Sequence, residues 1–386
     1  MKTVIAIDSL KGSLSSEEAG NAIKDGIKRV FPNCDIVVKA LADGGEGTIE
    51  ALTFGNNGII KNVVVSGPLE EKVNASYGIT NSGKTAVIEI AQAAGINLVS
   101  DKDKNPLKTT TCGVGELIKD AINNGIRDFI VGIGGSVTND CGIGMLSALG
   151  WKFIDKNKKC VSPNGGGLKD ILFIDDTDVI SELNECKFVI ACDVTNPLCG
   201  ENGASHIYGK QKGADEKMRY ELDANCKHFA GLVKATYGID NENVAGTGAA
   251  GGLGYGFITF LNGELKSGIK IVLEQISIED DIKDADYVVT GEGRIDFQTS
   301  MGKAPAGVAE LAKKYGAVVI GLSGCIGEGA NECNANGIDA FFSILKKSVS
   351  LEEAMDKENA TENMADQAEQ VFRLIKAISK NEKGRL

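Results

Sequence analysis

The chain has only two histidines, His206 and His228, one tryptophan and six prolines among 386 residues. Neither histidine has a partner at metal-ligand spacing, so a zinc centre and a His-based nucleophile triad are set aside. The ten cysteines are scattered, with no Cys-x-x-Cys pair. Met1-Lys2-Thr3-Val4-Ile5-Ala6 leads straight into a strand-like segment with no export signal before it, so reduced thiols in a cytoplasmic protein are expected. Long hydrophobic runs are missing too. The longest uncharged stretch, 243–263, contains seven glycines and reads as a soluble glycine-rich turn rather than a membrane span. Basic excess is also absent: the net charge of −12 argues against nucleic acid or an anionic membrane as the main partner. Any chemistry therefore falls to carboxylates, lysines, hydroxyls and backbone amides.

What remains is α/β grammar at both ends of the chain. Thr3-Val-Ile-Ala-Ile-Asp8 is an apolar run typical of a buried parallel strand. Ser15 and Glu18 have capping-box spacing, and Ala19, Ala22, Ile23, Gly26, Ile27 and Val30 follow at helical intervals. Pro32-Asn33 ends that helix, and Asp35-Ile-Val-Val-Lys39 is a second strand, completing a right-handed βαβ unit. The pattern returns with strands at 286–290, 317–321 and 339–344, a helix at 304–315 and a last helix near 360–379 with Val371, Leu374, Ile375 and Ile378 on one face. Together these predict a flavodoxin-like five-stranded parallel sheet of order 2-1-3-4-5, from residues 1–59 and 285–386. Residues 60–284 would form an inserted α/β domain, because the first 58 residues bury too little surface to fold alone. The competing division is two or three consecutive domains.

Two motifs match by letter and fail on context. Gly78-Ile-Thr-Asn-Ser-Gly83-Lys84-Thr85 fits the P-loop pattern, but Ala86-Val-Ile-Glu-Ile90 after it reads as strand, where a P-loop needs a helix. A hairpin turning at Asn81-Ser82-Gly83 is expected. Gly246-Thr-Gly248-Ala-Ala-Gly251 fits the dinucleotide fingerprint, yet Asn241-Glu-Asn-Val244 before it is not an apolar strand. A close-packed glycine-rich helix start is the expectation, in a chain with 49 glycines.

Ligands of open parallel sheets bind beyond the carboxyl ends of the strands, where strand order reverses. That switch places Asp8-Ser-Leu-Lys11-Gly-Ser13-Leu-Ser15 beside Thr290-Gly-Glu-Gly-Arg294-Ile-Asp296-Phe-Gln298-Thr-Ser-Met-Gly-Lys303, flanked by Ala42-Asp43-Gly-Gly-Glu-Gly-Thr48. The middle of the chain adds Gly132-Ile-Gly134-Gly135-Ser136-Val-Thr138-Asn-Asp140 between a strand and a helix, where helix-start amides with Ser136 and Thr138 would hold phosphate. It also adds Ala191-Cys-Asp193-Val-Thr-Asn-Pro197, whose carboxylate suits Mg²⁺ or, alternatively, an Asx turn.

Across these segments, and in Gly-Ala-Ala-Gly-Gly-Leu253, the sequence resembles the bacterial glycerate kinase family of glyoxylate and glucarate breakdown, in order along almost the whole chain. The resemblance implies ATP-dependent phosphorylation of D-glycerate, usually at the 2-hydroxyl, and a flavodoxin-like domain carrying an insertion. Cys141 stands where the family often has glycine. Phosphoryl transfer needs mainly positioning and charge neutralisation. Lys11 and Lys303 are therefore read as cations for phosphate or leaving group, Asp193 as a metal or base carboxylate, and Asp296 as the alternative base. Arg294, the one arginine of six in these loops, suits the glycerate carboxylate. Asp43, Ser13 and Gln298 are assigned to substrate, and Gly134, Gly135, Ser136, Thr138 and Lys303 to phosphate. Expected partners are glycerate, ATP and Mg²⁺, with neither nucleic acid nor membrane; a homo-oligomer is admissible. Two rivals remain: a nicotinamide-dependent dehydrogenase using Gly246–Gly251, and a non-enzymatic two-domain binding protein, which would usually be exported.

Overall fold

Thirteen strands are found in the computed structural model, which describes residues 1–42, 49, 52–53, 58–80 and 83–383. They are β1 (Lys2–Ile7), β2 (Asp35–Ala40), β3 (Ile59–Ser66), β4 (Lys72–Ile79), β5 (Thr85–Glu89), β6 (Asp128–Gly132), β7 (Lys152–Ile154), β8 (Phe173–Asp175), β9 (Lys187–Ala191), β10 (Glu264–Lys266), β11 (Tyr287–Ile295), β12 (Val318–Ile326) and β13 (Ala340–Ser343). The chain forms two units, residues 1–43 with 269–386 and residues 44–268. Among the described residues no helix is long and apolar enough to cross a membrane. All ten cysteines are free thiols.

In the first unit β1 pairs in parallel with β2 on one side and β11 on the other, and β12 and β13 continue the parallel sheet. Along the whole chain the order is therefore β2-β1-β11-β12-β13; the expected 2-1-3-4-5 counted this sheet's strands alone, whereas eight strands of the other unit intervene. The capping box forms: the Ser15 hydroxyl accepts from the Glu18 amide at 3.2 Å, and the Ser15 amide donates to Glu18 Oε2 at 3.0 Å. The helix Ser16–Val30 that follows buries Ala19, Ala22, Ile23 and Ile27. These meet Ile5, Ile7, Val289, Leu322 and Phe372 in one apolar core.

Two expectations are corrected here. β11 and β12 run on through Glu292↔Ser323, Arg294↔Cys325 and Ile295↔Ile326, so residues expected in a loop are partly strand. The glycines at 291, 293 and 324 disguise a ladder held by backbone alone. The final helix, Lys357–Lys383, buries Ala360, Met364, Ala368, Val371 and Phe372. Leu374 and Ile378 are 59% and 51% exposed, so the apolar stripe runs a step away from the face expected.

In the second unit the sheet order is β10-β9-β6-β5-β4-β3, with β5, β6, β9 and β10 parallel and β3–β5 antiparallel. Phe129 stacks on Phe188 at 4.7 Å within its core. A 22-residue helix, Glu216–Tyr237, starts where Asp215 accepts from the Met218 amide at 2.7 Å and stops at Gly238.

Both look-alike motifs have explanations in this unit. β4 and β5 pair antiparallel through Gly78↔Val87 and Ile79↔Ala86, so a strand and not a helix follows the P-loop match; Asn81 and Ser82 of the expected turn lie outside the described residues. Lys84→Ala is accordingly expected to leave catalytic turnover within about tenfold, roughly 1.4 kcal/mol on the barrier. Steady-state kinetics showing a loss of several orders of magnitude, at unchanged thermal stability, would contradict this. In the fingerprint match Ala250, Gly251 and Gly252 are left-handed, and the regular helix begins only after them. A Cβ on Gly251 would stand 2.0 Å from the Thr138 carbonyl oxygen, so this glycine serves close backbone packing.

Candidate active site

At the carboxyl ends of β1 and β2, the Ser16 hydroxyl donates to the Ile7 carbonyl at 2.6 Å and accepts from the Leu41 amide at 2.7 Å, tying the two strand ends together. Between Ile7 and Ser16 the chain makes a tight excursion. Leu10 and Leu14 pair as an isolated bridge, and Gly12 takes φ +79 at the tip beside Lys11. Asp8 begins this loop, 6% exposed, with Oδ1 accepting from the Ser9 amide at 2.7 Å.

Across the switch, the end of β11 is organised by a buried hydroxyl that sequence reasoning missed. Thr299 Oγ1 donates to Glu292 Oε1 at 2.6 Å and accepts from the Asp296 amide at 3.1 Å. Asp296 Oδ1 accepts from the Gln298 amide at 2.9 Å, capping the short helix Phe297–Ser300. Arg294 Nε lies 3.3 Å from Asp296 Oδ2 with its side chain 62% exposed, and Lys303 Nζ lies 3.9 Å from Glu292 Oε2.

The two loops border one cleft of about 630 Å³. Lys11, Ser13, Arg294, Asp296, Gln298 and Lys303 all line it, six of the residues predicted from sequence, together with Asp8 and Glu292. Asp43 lies outside the described residues. Of the three cations, Arg294 and Lys303 face carboxylates, while Lys11 is exposed and has no ion pair among the described residues. The opposite wall, formed by the segment after β13, was not anticipated: it presents Ile344, Leu345, Val349, Leu351, Ala354 and Met355.

The sequence pattern of the Glycerate kinase family matches residues 3–376. The chain belongs to this family. It is 48% identical over 354 residues to the glycerate 2-kinase of Escherichia coli K12, covering 92% of this chain and 93% of that one. It is 47% identical over 376 residues to the glycerate kinase of Bacillus subtilis 168, covering 97% and 98%. A crystal structure from Salmonella typhimurium LT2, described as a candidate glycerate kinase 2, superposes with a TM-score of 0.90 at 43% identity, covering 98% of this chain and 99% of that one.

In this glycerate kinase family member the remaining predicted residues lie in the second unit, at the carboxyl edge of its parallel strands. Asp193 follows β9, exposed, and its Oδ1 accepts from the Gly268 amide at 3.0 Å. Among the described residues no group of three or more His, Cys, Asp or Glu is placed to hold a metal ion unaided. Gly134 and Gly135 follow β6 and are exposed. Ser136 and Thr138, by contrast, are turned into the interior. The helix start behind them is used by the protein itself: Asp140 Oδ1 accepts from the Gly142 amide at 3.1 Å, and Thr111 Oγ1 from the Met145 amide at 2.9 Å. No helix-start amides are thus left to Ser136 and Thr138 in the way the sequence suggests.

Their partner is Lys212, 2% exposed, whose Nζ donates to Ser136 Oγ at 2.8 Å and to the Thr138 carbonyl at 2.7 Å. Burial pushes this ammonium down to about 7, against the pull of Asp140 and Cys226. The unfolded chain then holds the proton more tightly than the native one between about pH 7 and the ordinary lysine value of 10.5. The penalty is greatest below pH 7, and this group's contribution to native stability rises with pH through that window. Urea unfolding at pH 6.5, 7.5 and 8.5 should show native stability climbing relative to Lys212→Met, by at most about 1.4 kcal/mol per pH unit. Parallel pH curves for the two proteins would show that Lys212 keeps its proton.

Proposed function

We propose that this enzyme transfers the γ-phosphoryl group of ATP to D-glycerate, giving ADP and 2-phosphoglycerate. The observation that carries the reading is the cleft at the β1/β11 switch, where three cations, Lys11, Arg294 and Lys303, meet three carboxylates, Asp8, Glu292 and Asp296. In this reading the 2-hydroxyl oxygen bonds to the γ-phosphorus as the bond to the bridging oxygen of ADP breaks. Asp296 accepts the hydroxyl proton; its carboxylate retains acceptor capacity beyond the contacts to the Gln298 and Thr299 amides and Arg294. Lys11 offsets charge on the transferred phosphoryl group and Lys303 on the leaving oxygen. Arg294, with Ser13, Gln298 and Asp43, orients the acid through its carboxylate and second hydroxyl.

Mg²⁺ fits such a donor set, because it is commonly held by one or two carboxylates and completes its shell with phosphate oxygens and water. Asp8 and Glu292 are the proposed carboxylates in the cleft, and Asp193 is the one proposed in the second unit. When bound, the ion would neutralise phosphate charge. Gly134 and Gly135 are retained as backbone contacts for phosphate. The division into a flavodoxin-like domain and an inserted α/β domain, and a cytoplasmic location, belong to the same proposal. Purified protein with Mg²⁺, ATP and D-glycerate should yield ADP and 2-phosphoglycerate in ³¹P and ¹³C spectra. Reduction of a nicotinamide cofactor in place of that product would overturn the reading, and a 3-phosphoglycerate product would overturn its regiochemistry.

A further inference from the structure

The cleft has two chemically different sides, and glycerate needs only one of them. Every carbon of that acid carries oxygen, so it presents no apolar face to a wall built from Leu345, Val349, Leu351, Ala354 and Met355. The helix Leu351–Met355 on this wall buries none of its residues. Leu351 is 76% exposed and Met355 36%, at the rim of the cleft rather than scattered over the surface. Apolar side chains held at a concave, partly charged site mark a place for a ligand surface. The helix is nonetheless fixed at its start, where the Ser350 hydroxyl accepts from the Glu353 amide at 3.1 Å.

The wall is also continuous with the charged side. A Cβ on Gly12 would stand 2.4 Å from Met355 Cε, so the methionine lies directly against the turn that carries Lys11. An occupant of the wall therefore extends toward a cation within the same cleft. A molecule with a flat, largely apolar ring system at one end and a polyanionic chain at the other matches this pairing. We propose that the Leu345–Met355 wall seats the base of a nucleoside polyphosphate, with Leu351 and Met355 against the ring and the phosphate chain directed to Lys11. This rests on the phosphotransfer reading above and assigns the donor's base to the first unit.

Calorimetric titrations of the full chain with Mg²⁺–ADP, inorganic tripolyphosphate and D-glycerate, each alone, test the assignment. The uncharged variants Leu351→Ser and Met355→Ser avoid repelling anions, and the exposure of Leu351 makes its replacement compatible with folding. The double variant should bind ADP about tenfold or more weakly, while tripolyphosphate and glycerate change by less than about threefold. Unchanged ADP affinity overturns the proposal. So does a selective loss of glycerate affinity, which would give the wall to the acid, or an equal loss for all three ligands, which would make the helix a general lid. A second measurement needs no altered affinity: in protein labelled with ¹³C-methyl methionine, the Met355 signal, assigned by its loss in Met355→Ser, should shift with ADP and not with tripolyphosphate. Lack of that shift at saturating ADP counts against the proposal equally. Turnover of glycerate with an unaltered ADP response in the variants would sink the base site alone, and ADP binding as expected without turnover would sink the reaction alone.

Discussion

Lys11→Met is expected to lower kcat by about 10²–10³-fold while shifting the thermal midpoint little. The side chain is exposed at the tip of a turn whose shape is kept by the Leu10–Leu14 bridge and by Gly12, and none of those contacts involves the ammonium. Removing it therefore takes away charge and leaves the turn in place. Among the three cations of the cleft it alone has no ion pair among the described residues, so its field is not already spent on a neighbouring carboxylate. A fixed donor aimed at developing charge typically contributes about 2.7–4 kcal/mol to the transition state, the origin of the expected factor. Lys11→Arg should recover part of the rate, since charge is kept and geometry is not. Steady-state kinetics at saturating ATP and glycerate decide the matter. A variant with wild-type kcat and raised KM alone would show that Lys11 binds ground states uniformly and takes no part in transfer.

Arg294→Lys should raise KM for glycerate by roughly ten- to a hundredfold and leave that for ATP nearly unchanged. Nε is 3.3 Å from Asp296 Oδ2, longer than a charge-assisted hydrogen bond, and the side chain is 62% exposed. The guanidinium can thus offer parallel donors to a carboxylate, which an ammonium cannot reproduce. Hydrogen bonds to charged groups typically contribute about 1.5–3 kcal/mol, which sets the range. If Arg294 only shapes the end of β11 through Asp296, both Michaelis constants should move together, or neither. Varying each substrate in turn at saturation of the other separates these outcomes.

The elements that carry this cleft were legible because their signals are local. Thr3–Ile7 is a continuous apolar run and Ser15–Glu18 a capping box, and both behave as such whatever lies around them. The convergence of the Lys11 and Arg294 loops followed from one topological rule applied to those strands. What could not be read depends on partners distant in sequence. Ser136 and Thr138 look like phosphate ligands by neighbourhood, yet both are buried, and the Ser136 hydroxyl accepts from Lys212, 76 residues further on. Thr299 is unremarkable in the sequence until Glu292 is seen to accept a hydrogen bond from its hydroxyl. The 345–355 wall has no glycines and no motif, and becomes recognisable only when it lies opposite Lys11. The stripe of the last helix was misjudged for a related reason, since Leu374 and Ile378 satisfy helical spacing but the partner helix is reached by Met364, Ala368 and Phe372.

The parallel ladder between β1 and β11 joins residues 284 positions apart, with Lys2 bonded to Asp286 and Thr3 in register with Tyr287. During synthesis, β1 and β2 emerge first and must wait, since their sheet has no third strand until the chain has passed Tyr287. At about 5–20 residues per second that delay is roughly 15–60 s. The second unit, which uses only residues 44–268, has all of its strands available before then. Birth order and folding order are thus inverted: the segment made first is completed last. During that interval the apolar strand Thr3–Ile7 is without the β11 partner it has in the finished sheet.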